Sequence, residues 1–191
     1  MRNLLYTLLW ALSFLLVAFT LVIGYVCVFG DEIPSYVIRI ADIPTQTYDG
    51  DTINDVNILV LDHSFGMEDV GQLWPGVFST PDGIEIVTDI RIGGIDTPEK
   101  RTSTKNPDGS KRSEASRQRE KTAAAAARQA LIDMLKGAKV ISLSNPIHGK
   151  YAGRTVADLA VDDTDVATKL IEAGHAKPYD GGTKTQWNWG D

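Results

Sequence analysis

Cysteine and histidine are scarce in this sequence. The chain of 191 residues contains one cysteine, Cys27, and three histidines that lie far apart, His63, His148 and His175. A single cysteine excludes an internal disulfide and a cysteine metal cluster. Three scattered histidines offer no zinc site, so any bound metal is expected to be a hard cation with oxygen ligands.

Charge is absent between Leu4 and Phe29, a mostly apolar run of 26 residues. Roughly 20 apolar residues suffice to span a bilayer as a helix, whereas a signal-peptide core has roughly 7 to 15. No small-x-small cleavage pattern follows the run, so residues 1–30 are predicted to form an uncleaved transmembrane anchor. A cleaved signal peptide and a secreted protein are the alternative. Arg2 before the run and Asp31 and Glu32 after it predict a cytoplasmic N-terminus, with the remaining chain outside the cytoplasm.

The other charges are unevenly distributed. Residues 31–99 carry 14 acidic and 2 basic side chains, residues 100–128 carry 3 and 9, and residues 129–191 carry 8 and 7. An acidic block beside a basic stretch fits either cation binding next to an anion-binding surface, or a soluble surface with a basic helix. In the basic loop, residues 100–112, we expect Lys105, Lys111 and Arg112 to contact phosphates, and a merely solvated loop is the alternative.

Hydrophobic periodicity divides the rest of the chain into strands and helices. Strand patterns occur at 36–43, 56–61, 84–92, 138–145 and 154–161, and helical patterns occur from about 113 to 137 and over 162–174. Residues 62–83 contain four glycines and two prolines, so they are predicted to be irregular with at most one helical turn. We therefore expect one domain over 31–181, with an insertion at about 62–83, and a C-terminal tail at 182–191.

Two acidic turns and two arginines are the candidate functional groups. TYDGDT (47–52) supplies Asp49 and Asp51, RIGGIDTPEKR begins at Arg91, and KYAGR ends at Arg154. Carboxylates from separate loops suit calcium, and arginines from separate strands can each grip two phosphate oxygens. Side chains alternate along a strand, so residues 91 and 96 face opposite sides unless the two glycines between them bend the chain.

Five motifs in order, DGDT, RIGGIDTPE, an EA-containing helix, KYAGR and LIEAGHAKPY, resemble the staphylococcal nuclease (thermonuclease) family over about residues 36–181. The resemblance implies an α+β, mainly β fold: a five-stranded OB-type barrel with about three helices. It also implies a calcium-dependent endonuclease, a phosphodiesterase that hydrolyses DNA and/or RNA.

The resemblance also implies roles for individual residues. Asp51 and Asp96 match calcium-binding aspartates, and Thr97 matches a residue that gives its backbone carbonyl. Glu99 matches the general base, and Arg91 and Arg154 match the arginines that hold the phosphate. Three residues fall near positions that line the nucleotide site: Lys150, Tyr151 and Tyr179. The extra Ala152 in KYAGR and the insertion at 62–83 depart from the family pattern.

Two other functions stay open from the sequence. An OB-type module at the membrane can bind nucleic acid without cleaving it, although a pure binder does not need the full set of arginines and carboxylates. An anchored calcium-binding or interaction protein is the other alternative. No protein partner is inferred. Trp187 and Trp189 are expected to pack against the domain rather than stack on bases.

Overall fold

The computed structural model describes residues 35–62, 71–106, 108–149, 154–182 and 187–190. The predicted anchor at 1–30 lies outside these ranges, as do Lys150, Tyr151 and residues 63–70 of the insertion. Within the described ranges, no helix is both long and apolar enough to cross a membrane.

The described chain forms ten strands and three helices. The strands are β1 (Ser35–Arg39), β2 (Thr52–Asp62), β3 (Gly71–Trp74), β4 (Val77–Thr80), β5 (Gly83–Ile92), β6 (Ile95–Asp96), β7 (Ile141–His148), β8 (Arg154–Val161), β9 (Thr164–Asp165) and β10 (Lys177–Pro178). The helices are α1 (Ile43–Gln46), α2 (Glu114–Gly137) and α3 (Val166–Glu172).

Five of the strands close into a ring. Antiparallel pairing runs in the order β5, β2, β1, β7 and β8, and a parallel pairing of β5 with β8 completes the circle. Because a closed ring leaves no unpaired edge among its members, the arrangement is consistent with the predicted five-stranded OB-type barrel. Three helices accompany the barrel, as predicted.

Alternating side chains fill the barrel. Ile90 and Ile92 on β5 and Leu159 on β8 are fully buried, and Leu131 on α2 and Leu170 on α3 join them in one apolar cluster. Each such side chain stabilises the fold by roughly 1.5 to 3 kcal/mol relative to exposure. The residues between them on β5 and β8 therefore point to the outer surface, and this periodicity places the polar side chains of those strands outside the barrel.

Helix α2 begins and ends close to the predicted positions. Ser113 is its N-cap and accepts a hydrogen bond from the backbone N–H of Ser116, while Glu114 lies in the first turn and Lys136 in the last. The cap and the two charges stabilise the helix, because each charge is opposite in sign to the helix dipole at its own end. Its alanines leave room for close approach by neighbouring segments, which becomes important at the site.

The prediction of an irregular segment at 62–83 is wrong for its described part. Strands β3 and β4 form a hairpin around Pro75 and Gly76, and β4 pairs with β5 from Val77↔Ile86 to Thr80↔Gly83. Gly76 has a φ of +77°, which glycine adopts without strain. Strands of four residues are too short to show a period, so the edge of β5 rather than the local pattern specifies them.

Three predicted strands have different bounds in the structure. The strand predicted at 56–61 is longer and runs from Thr52 to Asp62. The strand predicted at 36–43 ends at Arg39, because Asp42 caps helix α1 through the backbone N–H of Thr45 and Pro44 lies in the first turn. The strand predicted at 138–145 is shifted and runs from Ile141 to His148. The predictions for 84–92 and 154–161 are confirmed. The helix predicted over 162–174 is shorter and runs from Val166 to Glu172, because Thr164 and Asp165 form strand β9 and Asp165 is the N-cap.

Candidate active site

The end of β5 brings an arginine and two aspartates together. Gly93 and Gly94 form a turn between β5 and β6, and Gly94 has a φ of +74°. After this turn, Asp96 Oδ1 lies 3.7 Å from Arg91 Nη2, while Arg91 Nη1 donates a 2.7 Å hydrogen bond to Asp51 Oδ1. The predicted bend is confirmed, and one guanidinium contacts both carboxylates.

A glycine lets the other acidic turn approach the same point. A Cβ on Gly50 would lie 2.8 Å from Ala127 Cβ and 2.9 Å from Thr97 Cγ2. Real Cβ atoms do not come this close, so the turn can sit between helix α2 and Thr97 only with glycine at position 50. The backbone N–H of Thr97 donates to Asp51 Oδ2 at 3.3 Å, which ties the two acidic turns together.

We call Asp51, Arg91, Asp96 and Thr97 the buried cluster. Asp51, Asp96 and Thr97 are each only 3% exposed. Burial, and next the charge of Asp49, raise the pKa of Asp51 to about 6, against the lowering effects of Arg91, Thr52 and Thr97. The Asp51 carboxyl is therefore ionised above about pH 6 and mostly protonated below it.

The second phosphate-binding candidate lies on the neighbouring strand. The parallel register pairs Arg154 with Asp89 and Val156 with Arg91. Residues opposite one another in a sheet share a face, as do residues two apart in a strand, so both arginines lie on the outer face of the barrel. The structure thus brings Arg91 and Arg154 to the same surface, although they are 63 positions apart in the chain.

Two further predicted residues lie at this surface. Glu99 is exposed. The ring of Tyr179 lies with its centroid 5.9 Å from the Arg91 guanidinium carbon, and the Tyr179 backbone N–H donates to Gly94 O at 2.9 Å. We call Glu99, Arg154 and Tyr179 the open group, because all three retain solvent exposure.

A cleft is lined by the open group and by one member of the buried cluster, Arg91. Its volume is about 930 Å³, and its lining includes Arg91, Glu99, Arg154 and Tyr179. Asp51, Asp96 and Thr97 are not part of the lining, but Asp51 and Asp96 contact Arg91, which is. The volume is in the range of small-molecule and nucleotide pockets, so the cleft can admit a phosphodiester whose phosphate meets both arginines.

The donor atoms fit a hard cation such as calcium. Asp51 and Asp96 offer carboxylate oxygens, the ligand type that calcium prefers. Both also contact a single positive group, the Arg91 guanidinium. In the described part of the chain, no three acidic, histidine or cysteine side chains converge as a metal cluster, so the ligand set would have to be two aspartates with backbone oxygen.

We expected Arg112 to contribute to a phosphate-binding surface, but the structure places it elsewhere. It is only 9% exposed, and its Nη1 forms a 2.6 Å ion pair with Glu120 Oε2 on helix α2. Its neighbours Lys105 and Lys111 are exposed and oppose each other in an isolated antiparallel bridge. The interpretation of Arg112 as a surface cation fails because Glu120, two helical turns further on, draws it inward.

The C-terminal segment reaches the site, although its residues show no periodic pattern that would predict this contact. Trp187 Nε1 donates to Asp96 Oδ2 at 3.3 Å, and its ring stacks on Trp189 with centroids 5.6 Å apart. Lys177 Nζ lies 4.6 Å from the centroid of the Trp187 ring. Trp187 thus packs against the domain, as expected, and also contacts a candidate metal ligand.

Comparison with known families gives one match. The model for staphylococcal nuclease homologues matches residues 89–187, slightly more than half of the chain. The match includes the last four residues of β5, the turn at Gly93 and Gly94, helix α2 and Arg154. No curated protein matches the chain.

Proposed function

Because the chain belongs to the family of staphylococcal nuclease homologues, we propose that it is a calcium-dependent nuclease that hydrolyses phosphodiester bonds of DNA and/or RNA. We also propose that residues 1–30 anchor it in a membrane, with the nuclease domain outside the cytoplasm. One observation carries the proposed activity: a single arginine, Arg91, contacts two buried aspartates and also lines a cleft shared with Glu99 and Arg154.

The arginines hold the phosphate in this mechanism. A guanidinium has five N–H donors, and Asp51 and Ile95 O each accept one of those of Arg91. Arg91 is therefore fixed in direction while other donors serve the substrate. Arg154 approaches from the adjacent strand, so two cations on one face meet the charge that develops on the phosphate oxygens. Positioned charge of this kind is the largest contribution to phosphoryl transfer.

Glu99 acts as the general base. It takes a proton from water as the water oxygen attacks phosphorus, and the phosphorus–oxygen ester bond on the opposite side breaks. The leaving oxygen then receives a proton from solvent. Exposure of Glu99 in the cleft gives the attacking water access to the carboxylate. Tyr179, Lys150 and Tyr151 are proposed to contact the nucleotide.

Asp51, Asp96 and the backbone carbonyl of Thr97 are the proposed calcium ligands. Calcium held by these residues would supply positive charge against the phosphate and would make water more acidic. The raised pKa of Asp51 implies that cation binding competes with a proton, so calcium affinity should weaken below about pH 6.

The activity is tested with the full chain, purified in mild detergent, on single-stranded DNA, duplex DNA and RNA. We expect hydrolysis with calcium and none with a chelator, and Glu99→Gln serves as the inactive control. Binding of nucleic acid without cleavage under every condition would favour the non-catalytic module instead.

The anchor is tested separately. The full-length protein should remain in the membrane fraction after carbonate washing, and protease added to the extracytoplasmic side should digest the domain. A soluble, shortened mature protein would identify a cleaved signal peptide, and protection of the domain in right-side-out vesicles would reverse the orientation.

A further inference from the structure

A buried ion pair lies beneath the loop that carries Glu99. Arg112, directly before the N-cap of helix α2, and Glu120, on the inward face of that helix, are 9% and 6% exposed. Their contact is 2.6 Å, and Arg112 Nε also donates to Ser116 Oγ at 3.0 Å. The backbone N–H of Arg112 donates to Thr104 O at 2.9 Å, which closes the second half of the loop.

The second oxygen of the same carboxylate faces the first half of the loop. Glu120 Oε1 accepts from the backbone N–H of Glu99 at 3.4 Å. One carboxylate therefore contacts the residues at both ends of the segment from Glu99 to Arg112. Helix α2, the longest described helix, supplies the rigid support.

Stability alone gives a weak reason for this arrangement. A buried ion pair loses much of its attraction to the cost of removing both charges from water, and apolar residues of similar size often serve as well. A carboxylate also accepts a stronger hydrogen bond from a backbone N–H than a neutral group does. The ion pair thus keeps an ionised acceptor, the Glu120 carboxylate, beneath Glu99. The positive charge of Arg112 offsets the cost of burying that carboxylate.

We propose that Glu120, paired with Arg112, is a positioning residue that fixes the backbone of Glu99, and with it the base carboxylate, relative to the reacting phosphate. The inference rests on the proposed function, because it assigns a purpose to the placement of Glu99. Glu120 acts through Glu99 and does not touch the substrate.

The test compares Glu120→Ala, which removes the acceptor, with Glu120→Gln, which keeps an acceptor oxygen but loses the charge. The control is Glu114→Gln, which breaks the exposed pair of Glu114 with Arg117 on the same helix. A displacement of about 1 Å at a reacting group can lower the reaction rate by about 100-fold. We therefore expect Glu120→Ala to lower kcat by about tenfold or more. We expect Glu120→Gln to lower kcat by about two- to fivefold. KM for DNA should stay within about threefold of wild type in both, because substrate contacts are intact.

A merely structural role predicts a different result. In that case activity per folded molecule, with folding followed by circular dichroism, stays within twofold of Glu114→Gln in both variants, and the proposal is wrong. If Glu120→Ala does not fold, kcat and amide hydrogen exchange of Glu120→Gln test the proposal instead. Faster amide hydrogen exchange at Glu99 together with the lower kcat supports positioning, and unchanged exchange with unchanged kcat overturns it.

Failure of the proposed function is distinguishable from failure of this inference. If wild-type protein hydrolyses no nucleic acid, the proposed function fails. Amide exchange at Glu99 still reports whether Glu120 holds that backbone. If the wild type is active and the two Glu120 variants behave as the control does, only the positioning role is lost.

Discussion

The buried cluster and the open group meet at one cleft but differ in how they are held. Asp51, Asp96 and Thr97 are almost fully enclosed and are linked through Arg91 and backbone hydrogen bonds. Glu99, Arg154 and Tyr179 retain contact with solvent. The buried cluster therefore couples function to folding stability, whereas the open group can change its chemistry with little effect on the fold.

Glu99→Gln gives the largest expected effect and probes the open group. Loss of a general base typically costs about 10²- to 10⁴-fold in rate, so we expect kcat to fall by that amount while the dissociation constant for DNA changes little. Because the side chain is exposed, the thermal midpoint should stay within about 1 °C of wild type, as expected of surface substitutions. Single-turnover kinetics and calorimetry measure both quantities. A large loss of stability would show that Glu99 belongs to the buried cluster instead.

Arg91 and Arg154 are expected to affect activity equally but stability differently. Removing one fixed donor to a developing oxyanion costs about 10²- to 10³-fold in kcat, so Arg91→Gln and Arg154→Gln should lose similar activity. Arg91→Gln should lower the free energy of unfolding more than Arg154→Gln does, because it leaves the Asp51 carboxylate buried without its ion-pair partner. Urea unfolding of the two variants at pH 7.5 makes the comparison. Equal stability would contradict the coupling of Arg91 to the fold.

Asp51→Asn should raise folding stability while it removes calcium-dependent activity, and the gain in stability should depend on pH. The pKa of Asp51 is about 6 in the folded protein, and a free aspartate has a pKa of about 4. The folded state therefore binds the Asp51 carboxyl proton more tightly than the unfolded state does. The contribution of this protonated carboxyl to the free energy of unfolding is present below about pH 4, falls as pH rises, and is fully lost above about pH 6.

Asparagine cannot ionise and avoids this loss. In chelator at pH 7.5, we expect Asp51→Asn to be more stable than wild type by on the order of 1 kcal/mol or more, with the difference shrinking towards pH 4. Calcium-dependent activity should be lost at the same time. Urea unfolding at several pH values gives the difference, and a variant less stable than wild type at pH 7.5 would refute the assignment.

The basic loop gives the smallest expected effect. Lys105 and Lys111 oppose each other across a bridge and are exposed, so they can meet two phosphates of a bound strand. Each phosphate contact contributes a slope of about −0.9 for duplex or −0.7 for single strands in log affinity against log salt. Changing both lysines to glutamine should raise KM and flatten the slope by about 1.4 to 1.8, with kcat nearly unchanged.

Lys169→Gln is the matched control, since Lys169 is an exposed lysine whose ion pair with Glu172 lies on α3. The salt dependence of KM decides the role of the loop. An unchanged slope in the double variant would mean that the loop is solvated, and a large fall in kcat would place it in the catalytic site.

Local sequence determined the parts of this protein that depend on neighbouring residues. Alternation fixed β5 and β8, alanine content with Ser113 and Glu114 fixed helix α2, and the motifs DGDT and RIGGIDTPE identified the candidate site. The bend at Gly93 and Gly94 followed from the period of a strand, because side chains five apart meet only if the chain turns.

Tertiary structure decided what depends on partners distant in the chain. The edge of β5 specified the hairpin of β3 and β4, and Glu120 drew Arg112 away from the surface where its charge alone would place it. Trp187 reached Asp96 across 91 positions, and the parallel pairing of β5 with β8 put Arg91 and Arg154 on one face. These contacts derive their energy from burial and pairing across the fold, which no short window of sequence contains.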